Sequence, residues 1–197
     1  MVGHVTAPAA ALADRLPDWV TLVRAPNPGP MTLDGTNTWV LRAPGAARSV
    51  VIDPGPLDEG HLRAVAGTGP VGAVLATHGH PDHVEGFDRF VELTGAGDDT
   101  GGLEITTLET PGHTADSVCF LAAVGGERVI FTGDTILGRG TTIVAWPNGD
   151  LGAYLASLDV LAGYGAVPAL PGHGPRWPTA ARPPGSTWLT AAPALTR

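Results

Sequence analysis

Residues Thr77-His78-Gly79-His80-Pro81-Asp82-His83 place three histidines and an aspartate within positions 78–83 of a chain that has only seven histidines. Imidazole and carboxylate are the usual ligands of zinc and similar divalent ions. Such a run constrains the fold, because its side chains must share one centre to act together. His78 and His80 are two positions apart, so an extended chain projects both to the same side. Asp82 and His83 follow where the chain can turn into a helix and point back toward that centre.

The rest of the chain can build a core around this run. Its 197 residues suffice for one domain, and 43% hydrophobic with 15% charged residues suits a globular protein. The single cysteine, Cys119, excludes an internal disulfide framework and fits a reducing compartment. It lies in an apolar run and reads as a buried structural thiol rather than a nucleophile. No stretch reads as a membrane span, and Met1 to Ala13 lacks a basic leader region, so the expected location is cytoplasmic. A net charge of −8 argues against broad, sequence-independent nucleic-acid binding. A pocket with two divalent cations still attracts anionic small molecules on an acidic protein.

Periodicity alternates strands with helices. Strands are expected over Trp19 to Val23, Thr38 to Arg42, Ser49 to Asp53 and Val71 to Thr77. Further strands are expected over Leu103 to Thr110, Ser117 to Val124, Arg128 to Thr132 and Val167 to Leu170. Helices are expected over Leu57 to Ala66, Val84 to Leu93 and Leu151 to Leu161, the last with Leu151, Leu155, Leu158 and Leu161 on one face. No internal repeat is visible. This composition alone leaves two packed sheets flanked by helices and an open doubly wound sheet both available.

Three later motifs each put one ligand-type residue, preceded by glycine, just after an apolar strand: Thr110-Pro-Gly-His113-Thr114, Phe131-Thr-Gly-Asp134-Thr135 and Leu170-Pro-Gly-His173-Gly174. Glycine permits the tight backbone path that brings such a side chain into a pocket at a sheet edge. Singly, each reads as a turn; together with the histidine run they are specific.

At this point the chain resembles the metallo-β-lactamase superfamily, through His78, His80, Asp82 and His83, then His113, Asp134 and His173. The resemblance implies an α+β fold, the four-layer αββα sandwich, with two Zn2+ at an edge between the sheets. It implies that His78, His80 and His113 hold one ion, that Asp82, His83 and His173 hold the other, and that Asp134 bridges them. Mn2+ or Fe2+ are alternatives to zinc. Asn27 to Trp39 and Gly133 to Thr142 further resemble the beta-lactamase-like protein 2 and glyoxalase II-like group. Within these stretches Thr36 and Asn37 lie near the pocket or stabilise a turn.

The implied chemistry is hydrolysis. Bound water falls from its bulk pKa to about 7, and a hydroxide held between two metals attacks a carbonyl carbon or phosphorus. Asp82 and Asp134 are the candidate catalytic residues, shuttling protons besides ligating. The first reading of the substrate is a small ester, thioester or lactone, anionic ones included. Single-stranded RNA is the alternative, and a catalytically impaired metal-binding homologue the third reading. Oligomeric state is not legible.

Two departures from the family pattern stand out. Between Leu93 and Leu103 the chain offers only Thr94 to Gly102, about two elements fewer than usual; the expectation is an uncovered sheet edge or a wider groove, with the ligands still converging. The domain is expected over 1–175, and 176–197 as an atypical, irregular tail. Pro178, Pro183, Pro184, Gly185 and Pro193 break any helix there.

Overall fold

The computed structural model describes residues 16–176, and the tail expected at 176–197 therefore lies, apart from Arg176, outside the described residues. Four strands form the first sheet: β1 (Val20–Arg24), β2 (Asn37–Leu41), β3 (Ser49–Ile52) and β4 (Val71–Leu75), in that spatial order. The first two pairings are antiparallel and β3–β4 is parallel, so a crossover is required. Helix α1 (Glu59–Ala66) makes it. The second sheet repeats the plan with β5 (Glu104–Glu109), β6 (Val118–Val124), β7 (Glu127–Gly133) and β8 (Ala169–Pro171). Its β7–β8 pair is parallel and crossed by α4 (Leu151–Ala162). Between the sheets in sequence lie α2 (Pro81–Val84) and α3 (Phe87–Thr94).

Alternation along the strands builds the layers. Trp39, Leu41, Val50, Ile52, Val129 and Phe131 share the core between the two sheets, where the Trp39 and Phe131 ring centroids are 5.8 Å apart. The intervening residues face outward. Val40 and Val51 pack under Leu62, Val65 and Phe90 from α1 and α3, whereas Cys119 and Ile130 pack under Leu158 and Leu161 of α4. The order is helix, sheet, sheet, helix, the αββα sandwich.

Caps fix the helix starts. Asp58 accepts from the His61 amide at 2.7 Å, and Asp150 from the Ala153 amide at 2.7 Å. The stretch read as one helix from Val84 to Leu93 is two short helices separated by Glu85 and Gly86. Gly86 sits so close to Pro56 O and Leu62 that a Cβ would come within 2.8 and 2.9 Å of them. Helix α4 is turned relative to its expected face. Leu158 and Leu161 are buried with Ser157, but Leu151 and Leu155 are exposed. Tyr154 takes their place against the sheet, its hydroxyl donating to Thr135 O at 3.0 Å.

The shortened segment still covers the first half of β4, where Val71, Gly72 and Ala73 are buried, and leaves Val74 and Leu75 half-buried. Asp98 makes a single bridge to Ala73, and the Gly97 amide donates to Gly72 O at 2.8 Å. The ligand-bearing loops nonetheless converge, since β4 and β5 on either side are intact.

Candidate metal centre

The loops that follow β3, β4, β5, β7 and β8 meet at one end of the sandwich. That is where paired parallel strands deliver their C-terminal ends. Strand β4 stops at Leu75, two residues before its expected end at Thr77. Thr77 leaves the ladder to serve Asp53, just past β3: its amide donates to Oδ1 at 2.7 Å and its hydroxyl to Oδ2 at 2.8 Å. His83 Nδ1 reaches the same Oδ2 at 2.9 Å. Asp53 is 1% exposed and holds φ at 53°, a region that aspartate tolerates better than most residues. It is a positioning residue that the motifs did not single out. The available signal was an acid closing the wholly apolar run Val50-Val51-Ile52 before Pro54-Gly55.

All seven expected residues are brought together. His78 Nε2 and His113 Nε2 each lie 3.0 Å from His80 Nδ1. His83 Nε2 lies 3.2 Å from His173 Nε2, which is 3.2 Å from Asp82 Oδ2. Asp134 stands between the two groups: Oδ2 is 3.7 Å from His113 Nε2, and Oδ1 is 3.5 and 3.4 Å from His83 and His173 Nε2. Gly172 makes room for it, because a Cβ there would approach Asp134 Oδ1 and His83 to 2.6 Å. Thr36 donates to Asp82 Oδ2 at 3.3 Å. The Asn37 amide side chain donates to Pro171 O and Gly174 O, at 3.0 and 2.8 Å, and so fastens β2 to the His173 loop. Thr36 therefore borders the pocket, and Asn37 has a structural role, bracing the loop that carries His173.

The donor chemistry fits a pair of cations. The outer nitrogens of four imidazoles face acceptors: His83 faces Asp53, His113 faces Ile143 O at 2.7 Å, His173 faces Gly35 O at 3.4 Å, and His78 faces Thr77 Oγ1 at 3.1 Å. A nitrogen donating outward leaves the other ring nitrogen as a lone pair directed inward. Inward lone pairs about 3 Å apart repel unless a proton or cation lies between them. Asp134 Oδ1 is buried without a hydrogen-bond partner, a costly state for a carboxylate oxygen. Among the described residues, His78–His80–His113, His78–His83–Asp134 and Asp82–His83–His173 each hold their ligand atoms within 4.8 Å of one another.

The electrostatics divide the pocket in two. Burial, then the neighbouring His83 charge, push His78 down to about 3. Burial and His113 lower His80. Burial opposes charge on His83, but the Asp53 and Asp134 carboxylates outweigh it and hold that histidine well above its ordinary value. Burial likewise opposes charge on His173, yet Asp134 and Asp82 raise it to about 9. Asp82 and Asp134 are desolvated, but the facing histidines outweigh this, taking Asp82 down to about 2 and Asp134 well below the usual carboxylate range. Without metal, protons hold the second group together where a cation would sit.

The profile of the family described as the Metallo-beta-lactamase superfamily matches residues 31–100 and 91–173, two pieces that meet at the shortened segment. The chain belongs to the metallo-β-lactamase superfamily. A Beta-lactamase-like protein 2 homolog of Caenorhabditis elegans is 33% identical over 195 residues, covering 82% of this chain and 63% of that protein. An Atrochrysone carboxyl ACP thioesterase of Aspergillus fumigatus is 36% identical over 192 residues, covering 82% of this chain and 58% of that protein. The chain thus spans about three fifths of the length of these curated relatives. The superfamily fold also appears in solved structures. ETHE1 from Myxococcus xanthus aligns with a TM-score of 0.59 at 28% identity, over 70% of each chain. TTHA1623, solved in a di-iron-bound form, aligns with a TM-score of 0.62 at 25% identity, over 81% of this chain and 94% of that one. Among the described residues no helix is long and apolar enough to cross a membrane.

Proposed function

We propose that the protein is a dinuclear metallo-hydrolase acting on a small ester, thioester or lactone, with thioesters the first choice. The observation that carries this reading is the set of facing, acceptor-backed imidazoles around Asp134, whose buried Oδ1 makes no hydrogen bond. His78, His80 and His113 would hold one ion and Asp82, His83 and His173 the other, with the two oxygens of Asp134 facing one group each. Zinc suits this nitrogen-rich donor set; Fe2+ and Mn2+ also accept it. When bound, the pair supplies Lewis acidity that lowers the pKa of a water to about 7.

The chain's own residues handle the protons. Asp82 is the more open of the two carboxylates, its side chain 28% exposed against 11% for Asp134. It therefore takes the proton as water adds to the carbonyl carbon and releases it as the carbon–sulfur or carbon–oxygen bond breaks and the thiol or alcohol leaves. Asp53 and Thr77 keep His83 and His78 in the orientation that ligation requires. The thioesterase name of the Aspergillus relative supports the thioester choice.

The test is metal quantification, followed by thioester, lactone, β-lactam and labelled single-stranded RNA substrates, each with and without a chelator. The expected result is about two ions per chain and chelator-sensitive thioester or lactone cleavage. Cleavage of RNA alone would replace this reading with a phosphodiesterase. Fewer than one ion per chain in the metal-reconstituted protein would identify a non-catalytic homologue.

A further inference from the structure

The loop between β1 and β2 reaches the metal centre through Thr36, which is fully buried. Thr36 Oγ1 lies 3.3 Å from Asp82 Oδ2, the carboxylate oxygen that also lies 3.2 Å from His173 Nε2 and 3.5 Å from His83 Nε2. Asn27, half-buried across the same loop, holds Thr36 at two points. Its Oδ1 accepts from the Thr36 amide at 2.9 Å, and its Nδ2 lies 3.0 Å from Thr36 Oγ1. Asn27 is itself held by Thr32, whose hydroxyl donates to the Asn27 carbonyl at 2.5 Å. Gly35 lets the two sides approach: with φ at 116°, a Cβ there would come within 2.2 Å of Ala25 O and 3.2 Å of Asn27 Oδ1.

These contacts leave one arrangement of the hydrogens. A backbone N–H only donates, so the amide oxygen of Asn27 faces the Thr36 nitrogen and its NH2 group faces Oγ1. That NH2 group also only donates. Thr36 Oγ1 therefore accepts from Asn27, and its own hydrogen is left for the Asp82 carboxylate. The frame behind the hydroxyl is fixed as well. Thr36 O accepts from the Ala25 amide at 2.8 Å, and the Asn37 amide donates to Gly172 O, beside His173, at 2.7 Å. Asp82 needs such a restraint, since its side chain is 28% exposed and rides on a helix of four residues.

We infer that Asn27 and Thr36 are positioning residues for Asp82: Asn27 aims the Thr36 hydroxyl, and the hydroxyl holds Asp82 Oδ2 toward His83 and His173. The inference rests on the dinuclear reading above and specifies what fixes its more open carboxylate. Losing an outer support of a metal ligand weakens metal binding about 10- to 100-fold, and a bond of 3.3 Å belongs at the lower end. The loss should fall on the second group, because the hydroxyl bonds to Asp82, a member of it.

The experiment titrates the full metal-free chain with zinc against a chromophoric chelator, with Asp82→Ala marking which of the two affinities belongs to the second group. Thr36→Val keeps the shape and removes the hydroxyl. Asn27→Asp keeps an acceptor for the Thr36 amide but turns the Thr36 hydroxyl toward itself and away from Asp82. Both should weaken the second ion about tenfold and leave the first within twofold, and Thr36→Ser should restore the parent values. A merely structural loop would weaken both ions alike. Equal losses, no loss in either variant, or no restoration by serine overturn the inference. A second measurement needs neither metal nor turnover. In urea unfolding of the metal-free protein, Thr36→Val and Asp82→Ala should couple by about tenfold in the folding constant. Additive costs overturn the inference. A parent that binds fewer than two ions overturns the dinuclear reading, and the coupling then judges the positioning by itself.

Discussion

Replacing Asp53 by asparagine isolates the contribution of one buried charge to the metal centre. The substitution keeps shape, and asparagine accepts the residue's φ of 53° about as well as aspartate does. Asp53 accepts three hydrogen bonds, from the Thr77 amide, the Thr77 hydroxyl and His83 Nδ1. Asparagine keeps one oxygen, and the bond to the Thr77 amide claims it. Its NH2 group then faces two donors. The Thr77 hydroxyl can rotate away, but His83 can relieve the clash only by moving its proton to Nε2, which removes the lone pair aimed at the pocket. Each bond to a charged group contributes about 1.5–3 kcal/mol, so losing two should cost the metal-free fold about 3 kcal/mol or more. Loss of such a supporting partner should weaken metal binding about 10- to 100-fold. The larger loss should fall on the ion proposed for Asp82, His83 and His173, and a smaller one on the His78 group, which Asp53 reaches only through Thr77. Competition titration with a chromophoric chelator reads both affinities, and urea unfolding of the metal-free proteins reads the stability. If both ions bound Asp53→Asn within twofold of the parent, the assignment of Asp53 as the support for His83 would be wrong.

Metal loading should depend on pH in two stages. His173, raised to about 9 from its ordinary 6.5, stabilises the metal-free fold below pH 6.5, and that contribution is lost as pH rises through 9. Asp82, lowered to about 2 from 3.8, contributes above pH 3.8 and loses its contribution as pH falls through 2. Metal at the second group must displace protons, whereas His78, held to about 3, has none to give up. Calorimetric titration should therefore find one tight ion per chain near pH 6 and two near pH 8.5; two equally tight ions at pH 6 would contradict it. Cys119, buried and pushed up to about 11, should resist thiol reagents at pH 8 until the protein unfolds, and stoichiometric labelling of the native protein within minutes would show otherwise. Phe131→Ala should cost about 3–5 kcal/mol in urea unfolding, because its fully buried ring packs on Trp39 between the sheets; a loss under 1 kcal/mol would mean that core collapses freely.

All seven ligand-type residues were legible as a set, because His78 to His83 and the three Gly-His or Gly-Asp motifs follow apolar strands at a spacing few surface loops share. The strands were legible for a related reason: period-2 burial leaves Val40 and Val51 facing one way and Trp39 and Ile52 the other. Less could be read where a partner decides the outcome. Helix α4 carries leucines on more than one face, so its sequence allowed Leu151 and Leu155 to point inward, and docking on β7 with Tyr154 bonded to Thr135 turned them out. The expected single helix breaks at Gly86 because its amide donates to Gly55 O at 3.0 Å, outside the helix, and the Pro56 carbonyl passes too close there for any Cβ.

The sequence by itself determined the ligand set and which strand residues share a face, since both depend on residue type and local period. Only the tertiary structure decided that β3–β4 and β7–β8 run parallel, which no repeat in the sequence announces. That pairing is non-local, requiring a helix to carry the chain back across the sheet. It brings Asp53, His83, Asp134 and His173 to one end of the sandwich. Whether a carboxylate beyond a strand becomes a bridging candidate, as Asp134 does, or an outer support, as Asp53 does, depends on which imidazole face it meets.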